Sequence, residues 1–196
     1  GQSCFDEVLV ENLEEYLANV KKDAFIVLHM IGSHGPTYYK RYPDSFRKFT
    51  PTCDTAEIQK CTREQIINTY DNTILYTDFV VSRAIGILKK FPHLESGLLY
   101  VSDHGESLGE NNIYLHGLPY SIAPEEQKKV PTILWMSDNM KKFDHLDYSC
   151  IAKKAEENTF SHDNIFHTIL ALMEIRSKTY DKSLDMFDPC RLEPLP

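Results

Sequence analysis

Residues 98–116, LLYVSDHGESLGENNIYLH, restrict the choice of folds more than any other stretch of the chain. Leu98, Leu99, Tyr100 and Val101 read as a buried strand that stops at Ser102-Asp103-His104-Gly105. Neighbouring side chains on a regular strand point to opposite faces, so Asp103 and His104 reach one centre only if the chain leaves the strand there. Gly105 permits such a turn, because glycine tolerates backbone angles that other residues avoid. A polar, glycine-containing loop follows and ends at His116. A carboxylate and an imidazole at the C-terminal end of a buried strand sit where open α/β sheets bind ligands. They also supply the oxygen and nitrogen donors that zinc accepts.

The pattern recurs upstream. Residues 24–30 (AFIVLHM) are a second continuous apolar run, which predicts a buried parallel strand. It too runs into a polar turn with a histidine, Gly32-Ser33-His34-Gly35-Pro36. Between and around these runs the spacing is helical. Val8, Leu9, Leu13, Tyr16, Leu17 and Val20 predict an amphipathic helix over residues 5–20. Thr62-Arg63-Glu64-Gln65 has the form of a capping box and opens the longest helix, which Pro92 limits. Its expected buried face is Ile66, Tyr70, Ile74, Thr77, Val81, Ala84, Ile85 and Leu88. Residues 118–129 read as irregular surface, and residues 130–136 as a strand placed nearer an edge by Pro131. Residues 141–159 suit a loop and a short helix. Ser161 can cap a helix reaching Met173, with Ile165, Phe166, Ile169, Leu170, Leu172 and Met173 turned inward. This alternation of helix and apolar strand gives the class α/β, a mostly parallel sheet flanked by helices.

Composition narrows the function. A net charge of −8 with scattered basic residues argues against nucleic acid as a partner. No run reaches the ~18 apolar residues of a membrane span. Cys53 and Cys61 bracket a short polar loop whose closure as a disulfide fits an oxidising compartment, and the pairing of Cys150 with Cys190 is left open. Cys4 is the odd one of the five cysteines. Residues 37–49 are aromatic and basic, with Lys40, Arg41, Arg47 and Lys48; they read either as a rim for an anionic, partly apolar substrate or as aromatic packing under a long loop.

The candidate chemistry rests on His34, Asp103, His104 and His116, all in loops that follow strands. A metal held there polarises a phosphoryl or sulfuryl oxygen. His116 would ligate a second metal or donate a proton to a leaving oxygen, and His34 would do either from its neighbouring loop. His29 reads as a core histidine on a strand, while His93, His145, His162 and His167 have ordinary surface or helical readings. There is no G-x-S-x-G elbow and no P-loop. Two strong ligand candidates do not fill a tetrahedron, so a complete site is expected to draw on residues upstream of Gly1.

The segments IGSHGPTYYKRYPDSFRKFTPTCD, INTYDNT and LLYVSDHGESLGENNIYLHGLPYSIAPEEQKKVP closely resemble the C-terminal half of the periplasmic domain of bacterial lipid A phosphoethanolamine transferases, the family that includes the mobile colistin-resistance enzymes. The similarity spans residues 4–173, and SDHGESLGENxxYLHG is a highly specific string. The resemblance implies an alkaline-phosphatase/sulfatase-like fold, with residues 1–196 forming the C-terminal portion of the catalytic domain. It implies zinc as cofactor, phosphatidylethanolamine as donor and lipid A as acceptor, at the periplasmic face of the bacterial inner membrane. The expected product is resistance to cationic polymyxins. Membrane contact would come from an N-terminal domain outside this chain, and the enzyme would act as a monomer. Asp103 and His104 match primary zinc ligands, and His34 and His116 match histidines assigned to substrate phosphate or a second zinc. Cys53 and Cys61 match a family disulfide, and Cys4 one half of another whose partner lies upstream. The family's threonine nucleophile and glutamate ligand also lie upstream, so this chain alone is expected to be inactive. A sulfatase- or phosphatase-like hydrolase and an inactive structural fragment are the alternatives.

Overall fold

The computed structural model describes residues 4–143, 145–157 and 160–193. It divides into two compact units, Gly1–Phe91 with Leu98–Trp135, and Pro92–Gly97 with Met136–Pro196.

The first unit is built on one long helix. Its chain opens with a 3₁₀ segment, Asp6–Val10, followed by α1, Leu13–Asn19, rather than the single predicted helix. Val10, Leu13 and Leu17 are buried as the spacing requires. α2, Arg63–Leu88, starts at the predicted capping box: the Thr62 side chain accepts from the Gln65 amide, and the Gln65 side chain accepts from the Thr62 amide. Then come β1, Gly97–Val101, the short antiparallel pair β2, Ser107–Leu108, and β3, Tyr114–Leu115, the single-turn α3, Glu125–Lys128, and β4, Thr132–Met136. β4 pairs with β1. Ser107 lies opposite Leu115, and Leu108 opposite Tyr114.

Two expectations fail here. Residues 24–30 are extended but belong to no strand, and Phe25, Ile26 and Val27 remain 59%, 41% and 71% exposed. An apolar run signals a segment fit for burial; a strand also needs a neighbour for its amides and carbonyls, and none of the described strands supplies one. The described strands form two two-stranded sheets, β1 with β4 and the antiparallel β2 with β3. His29, expected in the core, is exposed on the same segment.

The buried face of α2 also differs from the apolar reading. Ile66, Thr77, Val81 and Ala84 are buried as expected, but Ile74 is exposed, and Thr69, Asn72 and Thr73 take fully buried places beside Tyr76 and Val80. Each of these polar groups holds a loop. The Thr69 hydroxyl accepts from the Cys53 amide. The Asn72 carbonyl oxygen accepts from the amides of Lys48 and Phe49, and its amide nitrogen donates to Phe49 O. Thr73 is hydrogen-bonded to the Ser33 hydroxyl. Loops that pack against a helix without a ladder of their own need such partners, since an unpaired buried amide is costly. Around them Tyr42, Tyr76 and Val80 form one apolar cluster, and Cys53, Ile58 and Ile66 another. The predicted Cys53–Cys61 disulfide closes the loop ahead of α2.

The second unit contains α4, Asp138–Phe143, α5, Tyr148–Glu157, and α6, Asp163–Leu172. Cys150 and Cys190 are bonded, which settles the pairing the spacing left open. Cys4, at the start of the first unit, is a free and exposed thiol. On α6, Thr168 and Ala171 are buried whereas Phe166, expected inward, is 52% exposed. Asp185 and Arg191 form a buried ion pair in the tail segment.

Replacing Asn72 by alanine strands the Lys48 and Phe49 amides. At ~1–3 kcal/mol per unsatisfied buried group, the cost is expected to be about 3 kcal/mol. Denaturant unfolding of the two proteins side by side measures it.

Candidate functional site

β1 ends where the sequence placed the end of its strand, and the chain turns sharply through Ser102 and Asp103. The Ser102 hydroxyl donates to His104 O, and the His104 amide donates to Asp103 Oδ1. Gly105 is required for a reason other than the expected one. Its amide donates to Gln127 O, and a Cβ at this position would run into the carbonyl oxygen of Glu126. The glycine allows one backbone to lie against another, and so pins the His104 turn to α3.

The loop carrying His34 is fixed from several sides. The buried Asp6 carboxylate accepts from the amides of Ile31 and Gly32 at 2.9 and 2.8 Å. Arg41 Nε donates to His34 O. Gly35 N donates to Glu106 Oε1 at 3.1 Å. His116 follows Leu115, whose φ of +64° lies in the left-handed region. That conformation is unusual for a branched, bulky side chain and costs on the order of 1–2 kcal/mol. Leu115 packs on the Cys53, Ile58 and Ile66 cluster, which offsets the cost and directs the next residue inward.

These constraints bring His34, His104 and His116 together. One ring nitrogen from each lies within 4.8 Å of the others. The His104 and His116 rings stack with centroids 3.8 Å apart, and the His34 ring meets that of His116 edge-on at 4.9 Å. The δ nitrogens are all engaged. His34 Nδ1 is 2.7 Å from Gly35 O, His104 Nδ1 is 3.0 Å from Gly105 O, and His116 Nδ1 is 3.0 Å from Glu106 Oε1. Carbonyl and carboxylate oxygens accept hydrogen bonds, so each Nδ1 carries the proton and each Nε2 keeps a lone pair for a metal or a ligand. Nitrogen donors whose other ring nitrogen is tied in this way match the usual second layer of a zinc site. Asp103, with its side chain 84% exposed, stands outside the trio, but its Oδ1 lies 3.8 Å from His104 Nε2. Two ligands of one tetrahedral zinc at ~2.0–2.1 Å stand roughly 3.4 Å apart, so this pair needs only a small closure to share an ion.

Glu106 is the site residue that sequence reasoning missed. It is 8% exposed, and besides Gly35 N and His116 Nδ1 it accepts from the Tyr38 hydroxyl at 3.0 Å. Its position two residues past His104 was the available signal. Burial, with the Glu106 charge beside it, pushes the Tyr38 phenol far above the ordinary tyrosine range. The same two causes push Tyr70 up to about 12. In the 37–49 segment, Tyr38 and Tyr42 are buried and Phe46 packs on Tyr76. Arg47 is bound to Asp54 and Thr52, while Lys40 and Lys48 are exposed. A cavity of about 250 Å³ opens beside His104 and His116, lined also by Leu118, Tyr120, Gln127 and Lys128.

With this geometry in place, comparison with known proteins is informative. The family model described as Sulfatase matches residues 1–175. Phosphoethanolamine transferase EptA of Escherichia coli K12 is 55% identical over 189 residues, 96% of this chain and 35% of that protein. Phosphatidylethanolamine transferase Mcr-1 of Escherichia coli is 40% identical over 184 residues, 93% of this chain and 32% of that protein. The chain thus spans about a third of the length of these relatives. The soluble domain of lipooligosaccharide phosphoethanolamine transferase A from Neisseria meningitidis superposes with a TM-score of 0.93 at 50% identity, covering 98% of this chain and 57% of that one. Among the described residues no helix is long and apolar enough to cross a membrane.

The raised tyrosines set an alkaline limit. Below pH ~10 the Tyr70 phenol is protonated in both folded and unfolded chains. Above it the unfolded chain sheds a proton that the folded chain keeps until about 12, so stability falls as pH rises through this window. Denaturant midpoints between pH 9 and 12 should drop for the wild type and drop less for Tyr70→Phe.

Proposed function

We propose that this chain, which belongs to the sulfatase family, is the C-terminal part of a zinc-dependent phosphoethanolamine transferase; its match to such a transferase over 96% of its own length and its cluster of three histidines support the reading. The reaction moves phosphoethanolamine from phosphatidylethanolamine to a lipid A phosphate at the periplasmic face of the inner membrane, and so protects against cationic polymyxins. The observation that carries this reading is the convergence of one ring nitrogen from each of His34, His104 and His116, with Asp103 Oδ1 3.8 Å from His104 Nε2.

In this mechanism Asp103 and His104 would hold the zinc, together with ligands that the family resemblance implies upstream. When bound, zinc polarises a phosphoryl oxygen and offsets the charge that develops on it. His34 and His116 would meet the phosphoryl group through Nε2 carrying a proton, since a phosphoryl oxygen can only accept. A proton placed on His116 Nε2 is available to the departing diacylglycerol oxygen, while Nδ1–H stays bonded to Glu106. The nucleophile, a threonine in the resembling family, comes from outside this chain. Transfer in preference to hydrolysis requires a lipid acceptor to occupy the place of water. The exposed side chains of Leu118, Tyr120 and Ile122, close in sequence to His116, offer apolar surface for it.

Asp103→Asn in the full-length protein should lower transfer at least about 100-fold, on the scale of losing a charge-stabilising group at a reacting centre. Mass spectrometry of lipid A and the colistin tolerance of the host measure this. Undiminished modification in that variant overturns the assignment.

A further inference from the structure

Glu106 is a carboxylate buried to 8% exposure within a cluster of imidazoles, and the ligand set proposed above gives it no role. Three donors converge on it from two different loops: the Gly35 amide at 3.1 Å, the Tyr38 hydroxyl at 3.0 Å and His116 Nδ1 at 3.0 Å. No described lysine or arginine forms an ion pair with it; its one charge-type partner is His116. A carboxylate taken out of water at this cost persists when hydrogen bonds satisfy its lone pairs, and here all three donors do so.

Taking the transferase reading of His116 as its premise, we infer that Glu106 is the positioning residue of the site. It holds the His116 proton on Nδ1, so that Nε2 faces the reacting phosphoryl group, and it ties the His34 loop to the His116 loop through one side chain. The bond is direct on the His116 side. On the His34 side it passes through Gly35, whose carbonyl in turn accepts from His34 Nδ1. The orientation of the two histidines relative to each other, with ring centroids 4.9 Å apart, therefore depends on a carboxylate bonded to both loops. Tyr38 completes the arrangement. Its phenol, kept neutral by burial, donates to Oε2 and leaves Oε1 for Gly35 and His116.

Substitutions separate the bond from its charge. Glutamine can keep all three contacts, with Oε1 accepting from Gly35 and His116 and its amide donating to the Tyr38 oxygen. Methionine fills a similar volume and keeps none. In the metal-free full-length protein labelled with ¹⁵N-histidine, imidazole nitrogen shifts at one fixed pH read the tautomer of each ring, and a His116→Gln spectrum identifies the His116 signals. The expected result is an Nδ1–H tautomer for His116 in the wild type and in Glu106→Gln, and a mixture of tautomers in Glu106→Met. Turnover of a phosphatidylethanolamine donor should fall about 10–100-fold in Glu106→Met, the usual cost of losing a partner behind a site histidine. Glu106→Gln should retain most of the turnover.

An Nε2–H tautomer in the wild type overturns the inference, as does a methionine variant with unchanged tautomer and turnover. Should the methionine variant fail to fold, the wild-type and glutamine spectra still decide it. The tautomer is read without any reaction, so a protein with no transferase activity refutes the proposed function while leaving this assignment open to its own test.

Discussion

The site depends on loops being held in place by buried polar side chains rather than by a sheet. His34, His104 and His116 all sit outside the strands, and short loops of this kind bring amides that must be paired once water is excluded. Asp6 pairs Ile31 and Gly32, Thr73 meets Ser33, and Glu106 pairs Gly35. The Asp6 and Glu106 contacts serve two ends at once, satisfying amides that would otherwise be unpaired and fixing a histidine within a few residues, while the Thr73–Ser33 bond ties the same loop to α2 through two side chains. Hydrogen bonds of this type contribute only about 1 kcal/mol each to stability, but losing one partner costs more than forming the pair gains. That asymmetry makes the loop conformations specific as well as stable.

This division of labour explains what could be read from the chain and what could not. The end of β1, the capping box of α2 and the Cys53–Cys61 ring are local, each specified within about ten residues, and all three stand where the sequence put them. The parts that were misread depend on partners distant in the chain. Residues 24–30 carry the apolar signal of a strand, yet pairing depends on a neighbour that spacing within the run cannot specify. Thr69, Asn72 and Thr73 look like solvent-facing positions on a helix wheel; their burial follows from loops that arrive from more than fifteen residues away. Ile74 was assigned inward for the same reason and lies outward. His34, His104 and His116 could be singled out because glycine and histidine recur in the loops that follow apolar runs, and the structure brings their rings together. Asp6 and Glu106 were not, because an acidic residue beside a helix start or inside a polar loop is ordinarily solvated.

Gly105 shows how a correct residue can be chosen for the wrong reason. The expectation was a turn that needed glycine's backbone freedom. The observed need is space, since the carbonyl of Glu126 occupies the place a side chain would take. Leu115 is the converse, a bulky residue in a conformation that glycine or asparagine would adopt more cheaply. Its side chain is anchored beneath the hairpin while its backbone turns His116 toward His104. Packing energy in the small apolar cluster is thus converted into orientation at the site, the usual way strain is retained next to a functional group.

The basic stretch before α2 contributes to the site in a way its charge does not suggest. Arg47 is held by Asp54, and Arg41 donates to the carbonyl of His34, so two of its four cations support loop geometry. Tyr38, buried beneath them, reaches Glu106 and through it His116. A path of hydrogen bonds therefore runs from the aromatic segment to an imidazole that lines the 250 Å³ cavity. Anything that moved residues 37–42 would be felt first at the angle of that ring and only afterwards in the stability of the fold. Positioning of this kind matters because hydrogen-bond donors and metal ligands lose their effect over displacements of about 1 Å. The aromatic packing under the loop and the chemistry beside it are, on this view, two ends of one structure.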